Sequence, residues 1–275
     1  MGADKDLEYI SLKNDLLFHM VFTRNHKALR ALLSVLLGIP EASIEEIEVL
    51  NPMQYSEIKD SKLTVLDLKV HLNGGTFVLV EMQVRKFDHW TNRTLAYASR
   101  AVADQVVGDF DYGDLEPVIQ ISIMDYSLFP EHKRFFAKYT PRDEEGFEYT
   151  DNLRFYVLDL TQIEAVTDAQ KQQGLVEWAK AFRAESWDEV QNIDNSGVKE
   201  AAKTMRVIMA NPTERELIRM RRDAEIDRRT EIRSAEKRGV AVGKAEMARS
   251  MKRDGIDPGM ISKYSGLTLE EINAL

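Results

Sequence analysis

Two apolar segments that alternate in hydrophobicity and meet at a tight turn constrain this fold more than any other stretch. Residues 66–84, LDLKVHLNGGTFVLVEMQV, place Leu, Val or Met at every second position on both sides of Asn73-Gly74-Gly75. A period of two is typical of strands that bury one face, and Asn-Gly is a strong turn signal. The stretch therefore predicts a β-hairpin.

The hairpin carries acidic residues where strand interiors disfavour them. Asp67 lies on the first strand, and Glu81, followed by Gln83, lies on the second. If residues 73–75 form the loop, Asp67 faces Glu81 with Cβ atoms about 5 Å apart, and the carboxylates repel by about 3 kcal/mol at an effective dielectric constant of about 20. A divalent cation that binds both acids removes this repulsion. The alternative is a partly exposed sheet face on which Lys69 neutralises one acid.

Composition excludes several classes of chemistry. The sequence has no cysteine, which excludes disulfides, thiol catalysis and Cys-ligated metal centres. The net charge of −9 argues against a large basic surface for nucleic acid, so phosphate contacts require a local basic patch. The first residues are polar and acidic, unlike a signal sequence, and no apolar stretch is long enough to span a bilayer. We therefore expect a cytoplasmic protein without a membrane segment.

The order of the other patterns predicts an α/β core followed by helices. Helices are expected at 14–22, 25–38 and 92–108, and strands at EPVIQISIMDYSLF and LRFYVLDLT, with an acidic connection or edge strand before the hairpin. From about residue 166 the patterns are helical, and residues 214–239 mix acids and bases as a solvated helix or coiled-coil arm does. The expected regions are a core at 1–165, helices packed on the core at 166–212, and a charged arm with short terminal helices at 213–275.

The C-terminal region permits two interpretations. Residues 214–237 hold eight basic and seven acidic side chains, so they attract DNA weakly. In the short helices that follow, Asp257 before Pro258 begins one, and Thr268 with Glu271 makes a capping box for the next. These helices form either a helix-turn-helix reader of DNA or an oligomerisation or docking element. The acidic last helix favours the second interpretation, so we expect a homo-oligomer.

Several segments, in this order, resemble the PD-(D/E)xK nucleases. The hairpin has an acid on one strand, a turn, and an acid-x-Gln on the next; NDLLFHMVF precedes it, and NRTLAYASRAVADQ, PVIQISIMDYSLF and ISKYSGLTLEEINAL follow. More narrowly, the sequence resembles the PD-(D/E)xK family transposases, also called Rpn recombination-promoting nucleases. The resemblance implies a restriction-endonuclease-like core, with a central mixed sheet flanked by helices, and a C-terminal helical extension. It also implies a DNA endonuclease that depends on Mg²⁺ or Mn²⁺ and is linked to recombination or transposition.

The resemblance assigns roles to individual residues. Asp67 and Glu81 would be metal ligands, and Gln83 would occupy the position of a lysine. Asp15 would be a first-helix acid that helps to hold the metal; alternatively, it is a helix-terminal acid favoured by the macrodipole. A lysine orients water and offsets charge on the scissile phosphate, whereas Gln83 is neutral and can only hydrogen-bond. The alternative function is therefore a catalytically weak or inactive nuclease-fold protein that binds DNA or serves assembly.

Basic and aromatic residues after the hairpin are candidates for contacts with DNA. The candidates are Arg85, Lys86, Arg93, Tyr97 and Arg100, of which the last three share one stripe of the helix at 92–108. An arginine in this stripe is suited to bidentate binding of a phosphate. The alternative is an exposed face on which Arg100 pairs with Asp104. The opposite, apolar face of the helix is expected to carry Leu95, Ala98, Val102 and Val106.

Overall fold

The computed structural model describes residues 7–50, 53–54, 64–65 and 67–275. The strands are β1 (Ile47–Leu50), β2 (Met53–Gln54), β3 (Thr64–Val65), β4 (Leu68–Leu72), β5 (Thr76–Gln83), β6 (Val118–Met124), β7 (Phe136–Tyr139) and β8 (Leu153–Asp159). Six of them form a sheet in the order β1-β4-β5-β6-β8-β7, and β2 pairs separately with β3. The neighbours β5, β6 and β8 are parallel and the other pairs are antiparallel, which confirms the mixed central sheet.

Helices flank the sheet and continue to the end of the chain. They are α1 (Asp15–Arg24), α2 (His26–Leu37), α3 (Trp90–Ala103), α4 (Asp168–Gln172), α5 (Leu175–Arg183), α6 (Trp187–Gln191), α7 (Ser196–Ala210), α8 (Pro212–Arg253), α9 (Pro258–Ser265) and α10 (Leu269–Ala274). The side chains of Asn14, Asn25, Asp257 and Thr268 accept hydrogen bonds from the first turns of α1, α2, α9 and α10, which confirms the helix starts predicted at Asp257 and Thr268. No described helix combines the length and the hydrophobicity that a membrane span requires.

The two faces of the sheet are covered by different helices. The larger core joins apolar residues of β4, β5, β6 and β8 to α1, α2, α5 and α7. On the other face, Leu79 of β5 and Val118 of β6 pack against Ala98 and Ala101 of α3. Every residue of β6 is buried, as its nearly continuous apolar sequence predicts for a central strand. The face under α3 is the one that carries the acidic residues of the hairpin.

Several sequence expectations differ from the structure. The acidic segment before the hairpin does form an edge strand, β1, but β7 was not expected and lies at the other edge. The helix expected at 92–108 begins and ends earlier, at Trp90 and Ala103. Its buried side contains Trp90, Thr94, Ala98 and Ala101, whereas Leu95 and Val106 are 48% and 42% exposed, so the expected apolar face was partly wrong. Lys62, Leu63 and Leu66 of the first predicted strand lie outside the described residues.

The C-terminal part is dominated by a long charged helix. The charged segment and the short helix expected after it are one helix, α8, which passes through Gly239 and Gly243. Its side chains are mostly exposed, as a mixture of acids and bases predicts. The chain divides into two compact units, residues 1–218 and 219–275. The second unit has a small core of its own, formed by Ala248, Ile261 and Ile272.

Candidate active site

The hairpin has the register that its sequence predicts. Leu72 pairs with Thr76, and the ladder continues to Leu68 opposite Val80. Asn73 and the glycine after it adopt positive φ angles of 51° and 59°, which Asn and Gly tolerate best and which close the loop at residues 73–75. One further step of the same register places Asp67, just before β4, across from Glu81.

A backbone hydrogen bond fixes the side chain of Asp67 beside β5. Its Oδ2 atom accepts a hydrogen bond from the backbone N–H of Met82 at 2.7 Å. On the other side, Nδ1 of His19 lies 2.7 Å from the backbone oxygen of Asp67. Because a carbonyl oxygen only accepts, this ring nitrogen carries the hydrogen. Helix α1 and strand β5 thus hold the acid from two sides.

Glu81 is an acid in an environment that disfavours its charge. The residue is 3% exposed, and its Oε1 atom is buried without a hydrogen-bond partner. Burial raises the pKa of its carboxyl to about 8; the positive charge of Arg93 lowers this pKa, and the negative charge of Asp67 raises it further. The two carboxyl groups are neighbours because the register places Asp67 across from Glu81, and Oδ2 of Asp67 bonds to the N–H of Met82, the residue after Glu81.

Arg93 of α3 reaches from the helix to the acid pair. Its Nη2 atom lies 3.8 Å from Oε2 of Glu81, and its Nε atom is buried without a hydrogen-bond partner. The guanidinium lies among three aromatic rings, with its Cζ 5.1 Å from the ring centroid of Tyr97, 5.4 Å from that of Trp90 and 5.9 Å from that of Phe87. Among the described residues, Arg93 is thus a cation next to Glu81, whereas the alternative drawn from the sequence gave Lys69 the task of neutralising one of the acids.

Gln83 lies at the carboxyl end of β5, on the same face as Glu81. Its Nε2 donates a hydrogen bond to the backbone oxygen of Arg85 at 2.8 Å. Its own backbone oxygen accepts from the N–H of Asp125, the residue that follows β6, at 2.9 Å. Asp125 in turn forms a partly buried ion pair with Lys13, 2.9 Å between Oδ2 and Nζ. Sequence analysis missed this pair, although an acid directly after a buried strand is a signal for a residue at the carboxyl edge of the sheet.

Asp15 is the first residue of α1, and its Oδ1 accepts a hydrogen bond from the N–H of Leu16 at 2.8 Å. It shares a helix face with His19, four residues on, which contacts Asp67. This face of α1 is thus directed to the beginning of β4. Within the described part of the chain, however, no three His, Asp or Glu residues are close enough together to form a metal site. Asp15 as a third ligand stays a prediction.

The predicted DNA-contacting residues divide into two groups. Arg93 of α3 lies beside Glu81, and the half-buried Tyr97 of the same helix contacts the guanidinium of Arg93. Arg100 instead forms an ion pair with Asp104, with 2.6 Å between Nε and Oδ1, which is the alternative expected from their spacing. Lys86 is exposed and Arg85 is partly exposed, directly beyond the end of β5. The contacts of the described residues therefore place Arg93 beside Glu81, with Tyr97 behind it.

The carboxyl groups of Asp67 and Glu81 form a set of ligands that suits a hard divalent cation. Mg²⁺ is commonly held by one or two carboxylates and completes its octahedron with water. Asp67 and Glu81 supply the two carboxylates, and Oε1 of Glu81 has no partner in the protein. A cation at this place removes the repulsion between the acids and the cost of burying a charged Glu81. The residues present therefore fit the group.

Comparison with known families decides the classification. A family model described as PD-(D/E)XK nuclease family transposase matches residues 12–235, most of the chain. The chain belongs to this family. Comparison with curated proteins and comparison with solved structures each gave no match. Membership supports a nuclease- or transposase-related role on DNA and a hydrolase of the nuclease type, and PD-(D/E)XK nucleases generally use divalent metals. The mixed sheet flanked by helices agrees with the nuclease-like core.

Proposed function

We propose that this PD-(D/E)XK family protein is a metal-dependent DNA endonuclease that hydrolyses phosphodiester bonds with Mg²⁺ or Mn²⁺. The observation that carries the proposal is the buried, unpartnered Oε1 of Glu81 across the hairpin from Asp67. A carboxylate in this position is costly unless a cation compensates its charge. In a protein of a nuclease family, catalysis explains why the fold keeps a buried carboxylate that lowers its stability.

In this proposal, each residue of the site has a distinct task. Asp67 and Glu81 hold the cation, which when bound would activate a water molecule for in-line attack and stabilise the charge that develops on the phosphate. The N–H of Met82 and the ring of His19 keep Asp67 in place. Gln83 hydrogen-bonds to the attacking water or to the phosphate and so orients them.

The basic residues are assigned to DNA in the same proposal. Arg93 lies close enough to the acid pair to bind the phosphate when the cation neutralises Glu81, and the ring of Tyr97 keeps the guanidinium there. Arg85 and Lys86, beyond the end of β5, attract the flanking backbone. The activity would serve transposition, in line with the family description, or DNA recombination.

One observation favours a second candidate function. The amide of Gln83 stands where related nucleases have a lysine, and its Nε2 already donates to the backbone oxygen of Arg85. A side chain occupied in this way contributes less to the chemistry. The second candidate is therefore a nuclease-fold protein with weak or no catalysis that binds DNA or serves assembly.

Metal binding tests the proposal without any assumption about the DNA. In calorimetric titration, Mn²⁺ should bind to the wild-type protein, and the double variant Asp67→Ala/Glu81→Ala should lose this binding because both carboxylates are gone. The variant Glu144→Ala/Glu145→Ala removes the same charge from an exposed loop and should bind like wild type. Equal binding by all three proteins would rule out a metal site at the hairpin.

The C-terminal region is assigned to self-association in this proposal. Helix α8 exposes apolar side chains among its charges, for example Met220, Ile226 and Ile232. Deletion of residues 219–275 leaves the first compact unit and should lower the oligomeric order, measured as mass in solution, while DNA nicking persists. If the number of protomers per particle stays unchanged and DNA binding disappears instead, the region is a DNA reader.

A further inference from the structure

An apolar cavity of about 250 Å³ lies over the sheet on the same face as α3. Its lining includes Trp90, Leu95, Ser122, Phe129, Tyr139 and Phe155. Trp90 is buried and its Nε1 donates a hydrogen bond to Oγ of Ser122 at 3.1 Å, so these two polar groups are paired with each other. A dry apolar cavity of roughly 150 Å³ already binds benzene. The cavity therefore has room for one flat ring system larger than benzene.

The cavity begins one strand away from the acid pair. Ser122 of β6 is the register partner of Glu81 in the parallel pair β5–β6, and Val157 of β8 is the register partner of Ser122. Register partners in parallel strands point to the same face, and neighbouring strands lie about 4.8 Å apart. Ser122 and Val157 both line the cavity. The acid pair and the cavity are thus neighbours on one surface of the sheet.

Two basic residues follow the segment that lines the cavity. Phe129 lies between β6 and β7, and the segment continues through the exposed residues Glu131, His132, Lys133 and Arg134. Arg134 comes two residues before β7, whose last residue, Tyr139, lines the cavity. An aromatic cavity beside a segment with an exposed lysine and arginine offers both a surface for a base and a partner for its phosphate.

We propose that this cavity receives one nucleobase of the DNA, unstacked from its neighbours, with Arg134 at the adjoining phosphate. The inference rests on the proposed function, because that function makes DNA the substrate and places the scissile phosphate at Asp67 and Glu81. Contact with Phe129, Tyr139 and Phe155 compensates for the base stacking that is lost. The result is a strand held by its base close to the point of cleavage.

Fluorescence of 2-aminopurine tests this inference, since the probe brightens when it leaves the base stack. The protein carries Asp67→Asn to prevent cleavage, and the DNA is a short duplex with 2-aminopurine opposite a mismatched base, where unstacking costs least. We expect a several-fold rise in fluorescence on binding. Adding Leu95→Trp, which fills the cavity from its rim, should remove the rise while the affinity, measured by anisotropy, changes less than about twofold.

A matched control separates cavity filling from a general effect of a new tryptophan. Leu217 on α8 is 51% exposed, close to the 48% of Leu95, and Leu217→Trp should leave the rise intact. If Leu95→Trp fails to fold by circular dichroism, Phe129→Ala replaces it and should reduce the rise by removing a stacking ring. DNA binding by the Asp67→Asn protein without a rise in fluorescence overturns the inference. A rise that persists when the cavity is changed, by Leu95→Trp or by its replacement Phe129→Ala, overturns it as well. If wild type nicks DNA in that case, the proposed function stands; if the protein neither binds nor cleaves DNA, both proposals fail.

Discussion

Replacement of Glu81 by glutamine is expected to make the protein more stable at pH 8 and to abolish cleavage. The folded protein raises the pKa of this carboxyl from 4.5 to about 8, mainly by burial. Between pH 4.5 and about pH 8, the carboxyl group of Glu81 keeps its proton in the folded state and loses it in the unfolded state. The free energy of unfolding therefore falls as the pH rises through this window, by about 1.4 kcal/mol per unit and by about 5 kcal/mol in total.

The variant Glu81→Gln has no such group and should lack this part of the pH dependence. Below pH 4.5 the protonated acid and the amide are similar, so the two proteins should differ little there. At pH 8 with a chelator present, the variant should be more stable by up to about 4 kcal/mol in chemical denaturation. A divalent cation should raise the stability of wild type alone. Glu148→Gln, in an exposed ion pair with Arg142, should follow wild type.

If the free energy of unfolding depends on pH in the same way for wild type and Glu81→Gln, Glu81 is not a buried acid with a raised pKa. If Glu81→Gln is more stable and still cleaves DNA, Glu81 destabilises the fold but is not needed for cleavage. In that case Glu81 is a strained residue in the fold, and the metal is held elsewhere. The expected combination, gain of stability with loss of activity, is what a site strained for catalysis produces.

Gln83 gives the second large effect, because its two substitutions should act in opposite directions. In Gln83→Ala both metal ligands remain and the orienting amide is lost, so nicking of supercoiled DNA should slow by about 100-fold. Gln83→Lys adds a positive charge at the carboxyl end of β5, near the scissile phosphate, and should retain or raise the rate. The assay should be run with Mg²⁺ and with Mn²⁺.

The binding or assembly function predicts a different result for the same two variants. Gln83 is partly exposed, so each change would cost about 0.5–1 kcal/mol of stability and leave the cleavage at background. Gln162→Ala removes a partly exposed glutamine outside the site and controls for the loss of an amide. If Gln83→Ala cleaves as fast as this control, Gln83 has no part in the reaction.

Local sequence signals predicted the parts of the fold that depend on local chemistry. The register of the hairpin follows from its alternation and from the left-handed backbone that Asn73 and Gly74 accept. The caps at Asn14, Asn25 and Thr268 were predictable because a cap needs only a short polar side chain at one position. These features determine where Asp67 and Glu81 lie along their strands.

Contacts between distant segments decided what the sequence did not reveal. The pairing of Arg93 with Glu81 depends on how α3 packs across β5, and helical periodicity alone assigned Arg93 to an outer stripe. The same packing leaves Leu95 exposed, since the cavity and not the core lies beneath it. Lys13, before α1, and Asp125, after β6, are far apart in the sequence and meet because the beginning of α1 lies near the end of β6. Such pairs carry no local pattern.

The conversion of supercoiled DNA to its nicked form by wild type and by Asp67→Ala, with Mg²⁺ and with a chelator, tests the central claim most directly. Asp67 is placed by the hydrogen bond from the N–H of Met82 and not by a buried core contact, so its replacement should leave the fold intact. We predict nicking by wild type that requires the metal, and a rate at least 100-fold lower for Asp67→Ala under the same conditions. Equal nicking by the two proteins, or nicking by wild type that continues in the chelator, would contradict a metal-dependent nuclease centred on Asp67 and Glu81.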